Sequence, residues 1–203
     1  MKIAGVVLAG GQSLRMGQDK AMLTIEQRTL LERSVNLLQN VGFEDCFVSG
    51  HYDDFDCIID QQAGLGPIAG IEACAKQLYR HYDAIFIIPV DMPLLAIQDC
   101  RNLLQYFLTL NTTNDKLTIP PGVYYQQTTF PMLLTLNEPL LDYLAEVVTT
   151  THKKHRSLYR LLETLNIKGF NQKETDAFRF ENTNTPEQWQ HCLSMLRVMK
   201  QSK

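Results

Sequence analysis

Lys20, Arg15, Asp60 and Asp91 are the side chains whose types and settings could do chemistry, and the chemistry they suit is that of phosphates. Arg15, Gly17, Asp19 and Lys20 lie in a loop that opens at Gly10-Gly11, directly after the apolar run 3–9. Glycines let successive backbone N–H groups turn towards an anion, and arginine and lysine add full positive charge. Lysine acts as a point charge and arginine as a flat fork, so the two make complementary contacts with phosphate oxygens. Asp91 stands in Pro89-Val90-Asp91-Met92-Pro93, after the apolar run 84–88. An acid there lies just beyond a strand's carboxyl end, the edge at which open α/β sheets bind ligands. Mg2+ takes one or two carboxylates plus phosphate oxygens and water, which makes Asp91 the metal candidate. The plainer reading of Asp91 is a turn aspartate capping the next segment. Asp60, after the short apolar run 57–59, is placed to accept a hydrogen bond from a nucleoside base or a ribose hydroxyl, or else is simply solvated.

Counting residues excludes two common phosphate loops. A Walker A loop needs four residues between its first glycine and Gly-Lys-Ser/Thr. Here five separate Gly11 from Gly17, and Ala21 rather than a hydroxyl follows Lys20. Gly10-Gly11 does not give the G-x-G-x-x-G of dinucleotide sites either. Ser13 and Ser49 lack a G-x-S-x-G setting and recognisable His/Asp partners. His152 and His155 have no carboxylate or thiol company that would make a zinc site. The basic cluster Lys153-Lys154-His155-Arg156 reads most simply as a solvated face.

The elements that must hold these residues alternate. Strand 3–9 is followed by helical spacing at Leu31, Val35 and Leu38, with Thr29 as cap and Gly42 as stop. Short apolar strands follow at 46–48 and 57–59. A helix begins at Pro67, a residue suited to a first turn, with Gly66 and Gly70 removing side chains that would block close approach. Strand 84–88 and a helix over 97–110 complete an α/β sheet, doubly wound and mostly parallel, buried on both faces. Asn111 to Asp115 is a polar break. Beyond it the pattern is mixed, with strand candidates at 117–119, 123–125 and 131–136, and helices at 138–148, 157–165 and 189–199. One domain over residues 1–203 is expected, with a nucleotide-binding half (1–110) and an acceptor-side half (111–203).

Composition narrows the partners. A formal charge of −3 argues against nucleic acid, which asks for a basic excess. Five cysteines with no C-x-x-C pair fit buried thiols in a reducing compartment. The first apolar run is too short for an export signal, and no window approaches the ~20 residues of a membrane span. The expectation is a cytoplasmic protein with neither membrane nor nucleic-acid partner.

Residues 8–20 fill every fixed position of L-A-[AG]-G-x-S-x-R-M-G-x-D-K: Leu8, Ala9, Gly10, Gly11, Ser13, Arg15, Met16, Gly17, Asp19 and Lys20. With Gly66-Pro67-Ile68-Ala69-Gly70, Pro89 to Pro93 and Asn182-Thr183-Asn184-Thr185-Pro186-Glu187, in that order, the chain resembles the molybdenum cofactor guanylyltransferases, the MobA family. The resemblance implies a Rossmann-like nucleotidyltransferase fold and transfer of GMP from GTP to a molybdenum-pterin phosphate, releasing pyrophosphate. It implies Mg2+ on Asp91, with Mn2+ as a substitute, and Lys20, Arg15 and Asp91 as the catalytic set. Nucleotide contacts are implied for Leu8, Ala9, Gly10, Gly11, Lys20, Ser49, Asp60, Gly66, Gly70 and Asp91, and acceptor contacts for Arg156, Asn182 and Asn184. Paired amide groups on Asn182 and Asn184 suit a pterin edge or its phosphate. Cofactor-insertion and molybdoenzyme proteins are the implied protein partners. Two departures stand out: Ser49 replaces an asparagine found in relatives, and Gln27-Arg28-Thr29 replaces a glycine-containing turn. Alternatives are a cytidylyl- or sugar-phosphate nucleotidyltransferase, for which Gly10 is the discriminating position, and a non-enzymatic nucleotide- or cofactor-delivery protein.

Overall fold

The computed structural model describes residues 1–10, 19–60, 64–113, 119–126, 128–150, 152, 156–171 and 174–201. Seven strands form one sheet. In spatial order they are β5 (Cys57–Ile58), β4 (Cys46–Ser49), β1 (Ile3–Leu8), β6 (Ala84–Pro89), β8 (Met132–Thr135), β7 (Gly122–Tyr125) and β9 (Lys168–Phe170). The first four run parallel. β8 is antiparallel to both β6 and β7, and β9 returns parallel to β7. The first half is thus a parallel sheet and the second half mixed, as the sequence pattern suggests.

The order of these strands creates the site. From β1 the chain crosses through α1 (Leu30–Val41) to β4 on one side. From β5 it returns through α2 (Pro67–Leu78) to β6 on the other side of β1. Right-handed crossovers in opposite directions send the two helices to opposite faces. Two glycines show it: a Cβ at Gly5 would meet Leu38 of α1, whereas a Cβ at Gly70 of α2 would meet Leu8. α3 (Ile97–Thr113) packs beside α1, and α4 (Glu138–Thr149) beside α2. Central strand residues Val6, Val7, Ile85, Phe86 and Ile87 have no exposed surface, as a sheet covered on both faces requires. The gap between the carboxyl ends of β1 and β6, where the winding reverses, is the topological switch point at which such sheets take ligands.

Local sequence accounts for the boundaries. Thr29 caps α1 with a reciprocal capping box, its hydroxyl accepting from Glu32 N while the Glu32 carboxylate accepts from Thr29 N. The turn before it needs no glycine. β2 (Thr24–Ile25) and β3 (Arg28–Thr29) form a two-residue hairpin with Glu26 and Gln27 both at positive φ, 55° and 64°. That is the primed geometry whose twist matches flanking strands.

Some details of the second half differ from the sequence reading or lie beyond it. α3 runs into the polar break and does not stop at Leu110: the helix continues to Thr113, with the Thr109 and Thr112 hydroxyls donating to the carbonyls of Gln105 and Thr109. Most of the strand expected at 117–119 falls outside the described residues, and Ile119 itself is in no strand. β9 has no counterpart in the sequence reading, because three residues with a central glycine carry no periodic signal. α5 (Leu158–Thr164) and α6 (Pro186–Gln201) follow as expected, the latter starting three residues early at its proline. No helix among the described residues is long and apolar enough to cross a membrane.

Candidate active site at the switch point

Strand register aligns the two chemical ends of the fold. Leu8 pairs with Pro89, and Val90 N donates to Leu8 O at 3.0 Å. The chain therefore leaves β1 towards Gly10 beside the chain leaving β6 towards Asp91. Lys20 returns from the loop on a 3-10 turn, Lys20–Met22, whose first amides are capped by Asp19 accepting from Ala21 N at 3.0 Å. Its ammonium lies 3.4 Å from Asp91 Oδ2 and also donates to Asn184 Oδ1.

These side chains are largely withdrawn from water, Lys20 at 15% and Asp91 at 20% side-chain exposure. Burial raises the Asp91 carboxyl above its usual range, and the Lys20 charge opposes that shift without cancelling it. A partly desolvated carboxylate held ionised by one cation is suited to a second one, such as a divalent metal bridging to phosphate.

Asn182, Thr183 and Asn184 form the opposite wall. Thr183 is 2% exposed, and both its N–H (2.8 Å) and its hydroxyl (3.3 Å) donate to Asp91 O. Thr185 begins α6 in its own capping arrangement: Gln188 Oε1 accepts from Asn184 N and Thr185 N, and Gln188 N donates to Thr185 Oγ1. The threonine between the asparagines thus ties the wall they form to the metal candidate. It is a candidate positioning residue that type alone does not single out, since a buried hydroxyl looks like any helix-flanking threonine. Valine at position 183 keeps the shape and the backbone bond but removes the hydroxyl donor. The expected result is ~2–10-fold lower kcat/KM, measured by steady-state kinetics.

Leu8, Ala9, Gly10, Lys20, Gly66, Asp91, Asn182 and Asn184 line one cleft of about 410 Å3, with Pro67, Pro89, Val90, Thr129, Phe130 and Leu158. Gly66 precedes α2 at φ 71°, in the region that favours glycine, and no described side chain caps that helix terminus. The positive end of α2 opens on the cleft, where anions are favoured.

Other sequence candidates take different places. Gly11 and Arg15 lie outside the described residues. Asp60 approaches the rim: a Cβ on Gly10 would stand 4.0 Å from its Oδ2 and 3.5 Å from Ser49 O. Ser49 is 2% exposed and sits under Gly70 rather than on the cleft wall. Arg156 donates through Nε (3.1 Å) and Nη2 to Thr150 O and is not among the lining residues. Among the described residues no cluster of three or more His, Cys, Asp or Glu could hold a metal by itself, so a cation would lean on Asp91 and ligand oxygens.

Gly70 shows why α2 must approach so closely. A Cβ there would stand 2.5 Å from Ser49 Oγ and 3.2 Å from Leu8 Cδ2. Gly70→Ala is expected to destabilise the fold by about 1–3 kcal/mol through overpacking, read from the denaturant midpoint.

A lysine ammonium and a partly desolvated carboxylate meeting beyond the carboxyl ends of β1 and β6 are an arrangement suited to a nucleotidyltransferase of the open α/β type. The comparisons agree: the profile of the family described as MobA-like NTP transferase domain matches residues 5–167, and the chain belongs to that family. A relative named molybdenum cofactor guanylyltransferase, from Xanthomonas euvesicatoria pv. vesicatoria, is 34% identical over 93% of each chain. Another named probable molybdenum cofactor guanylyltransferase, from a Geobacillus species, is 27% identical over 93% of this chain and 96% of its own. Among solved structures, molybdopterin-guanine dinucleotide biosynthesis protein A from Archaeoglobus fulgidus superposes with TM-score 0.71 at 18% identity, covering 96% and 99% of the two chains. A Mycobacterium tuberculosis protein, solved as a complex with manganese, superposes at 0.63 with 13% identity over 96% and 99%.

Proposed function

We propose that this nucleotidyltransferase moves GMP from GTP onto the phosphate of a molybdenum-bearing pterin, releasing pyrophosphate. The observation that carries the reading is the convergence of Lys20, Asp91 and Asn184 at one point of the cleft, and the 34% identical relative supports the choice of substrates. In the reaction an acceptor phosphate oxygen attacks the α-phosphorus of GTP in line, the bond from that phosphorus to the bridging oxygen breaks, and pyrophosphate leaves with the electron pair. No protein nucleophile is required, so the work falls to positioning and to neutralising charge.

Lys20 supplies a fixed positive charge beside the phosphates, and the glycine-rich start of the loop lets main-chain amides approach without side chains intervening. Asp91 would hold Mg2+, whose chemistry when bound is to neutralise and polarise phosphate oxygens. The donor set fits: one desolvated carboxylate, with the remaining positions left to phosphate oxygens and water. Asn182 and Asn184 present amide groups to the acceptor. Arg15 belongs to the same charge-neutralising set. A cytoplasmic setting accords with five free cysteines, of which Cys74, Cys100 and Cys192 are buried and have thiols made less acidic by burial.

Mixing the protein with GTP, Mg2+ and molybdenum cofactor and following pyrophosphate tests the proposal. Release that needs both substrates is expected. GTP binding without release would instead indicate a delivery protein, and tighter binding of CTP than of GTP would reverse the nucleotide assignment. The base choice is referred to Gly10, where an added methyl would narrow the space beside Ser49 and Asp60.

A further inference from the structure

We propose that Tyr52 is a positioning residue for nucleotide binding: its hydroxyl joins the two ends of the phosphate loop and thereby aims Lys20. The inference rests on the nucleotidyl-transfer reading and extends it to a residue outside the cleft. Tyr52 belongs to the connection between β4 and β5, in a stretch (His51-Tyr52-Asp53-Asp54) that as sequence is an ordinary polar turn.

Its hydroxyl oxygen lies 3.2 Å from Ala9 O and 3.0 Å from Asp19 Oδ2. Both partners can only accept, so the one phenolic proton is shared between the point where the chain leaves β1 and the point where it returns. The other oxygen of Asp19 is already engaged as the cap of the Lys20 turn. The carboxylate is thus fixed from both sides, and the turn that it caps carries the ammonium to Asp91 and Asn184. A capping carboxylate held in place before the ligand arrives lowers the entropy that anion binding at Lys20 would otherwise have to remove.

The tyrosine is well anchored for such a task. Its N–H donates to Cys57 Sγ and the Cys57 thiol donates to its carbonyl, both at 3.3 Å, and Phe55 N donates to the same carbonyl at 3.2 Å. Its ring covers Gly50, where a Cβ would stand 2.7 Å from Tyr52 Cε2. A ring held this way gives the hydroxyl one place to reach.

The test is Tyr52→Phe, which removes the hydroxyl and keeps the ring. Titration calorimetry with pyrophosphate and with GTP, in Mg2+, should show affinity about tenfold weaker, the scale of a hydrogen bond to a charged group. A structural role alone would not predict the second result: in a Lys20→Ala background, Tyr52→Phe should cost nothing more, because the residue it positions is gone. Unchanged affinity in Tyr52→Phe, or the same factor in both backgrounds, overturns the proposal. Should Tyr52→Phe fail to fold, Asp19→Asn weakens the same link from its other end and is read the same way. Pyrophosphate binding needs no acceptor and no turnover, so this result is separate from the transfer assay. An unaltered chain that binds neither GTP nor pyrophosphate overturns the transfer reading itself.

Discussion

Alanine at position 91 lowers pyrophosphate release at least ~10²-fold in saturating Mg2+, the size of loss expected when one preorganised electrostatic partner of a transition state is deleted. The loss falls on turnover and not on folding. Asp91 is held in a poorly hydrated place, and its carboxyl is raised above its usual range by that burial. A group whose folded pKa exceeds its unfolded value contributes stability at low pH and loses it as pH climbs through the folded value. The unliganded protein therefore gives up some stability between ordinary carboxylate titration and the raised Asp91 value, and Asp91→Asn removes that loss. A divalent cation favours the ionised form and works in the opposite direction. Thermal melts with and without Mg2+ should show a metal-dependent gain that shrinks on acidification and is absent in Asp91→Asn. Unchanged turnover in Asp91→Ala would remove the metal assignment.

Lys20→Ala carries the second large effect, again ~10²-fold or more on turnover, because phosphoryl and nucleotidyl transfer depend on charge neutralisation at phosphate oxygens. Its signature differs from that of Asp91→Ala. Removing the lysine also removes the countercharge of Asp91 at 3.4 Å and the partner of Asn184 Oδ1. The folded protein then becomes less stable at neutral pH, where Asp91 is ionised, and less affected at acid pH, where it is protonated. Urea denaturation at the two pH values, set beside steady-state kinetics, checks both halves. Lys20→Ala with full activity would place the phosphate charge elsewhere in the loop.

The parts of this protein that were legible in its sequence are those where one local rule suffices. An apolar run ending in two glycines gave β1, a proline after Gly66 gave the start of α2, and Pro89 to Pro93 put Asp91 beyond β6. Motif spacing brought Lys20 and Asp91 together on paper, and strand order does so in space. What was not legible depends on partners far along the chain. The two hydrogen bonds from Thr183 to Asp91 O and the reach of Tyr52 to Ala9 and Asp19 leave no periodic trace. Nor does β9, whose pairing with β7 is a tertiary outcome of a three-residue segment. The Glu26-Gln27 turn shows the converse, a hairpin formed where the usual glycine signal is missing, because both residues accept positive φ.

The contact between Lys20 and Asn184 spans 164 positions of sequence. Synthesis reaches Lys20 long before Asn184, so the pocket cannot be completed until the segment around Asn184 has been made and has cleared the exit tunnel. A chain that stops short of Asn184 thus carries Lys20 and Asp91 without the amide that meets the ammonium. Late closure of this kind slows maturation, since distant segments must meet before either is rewarded.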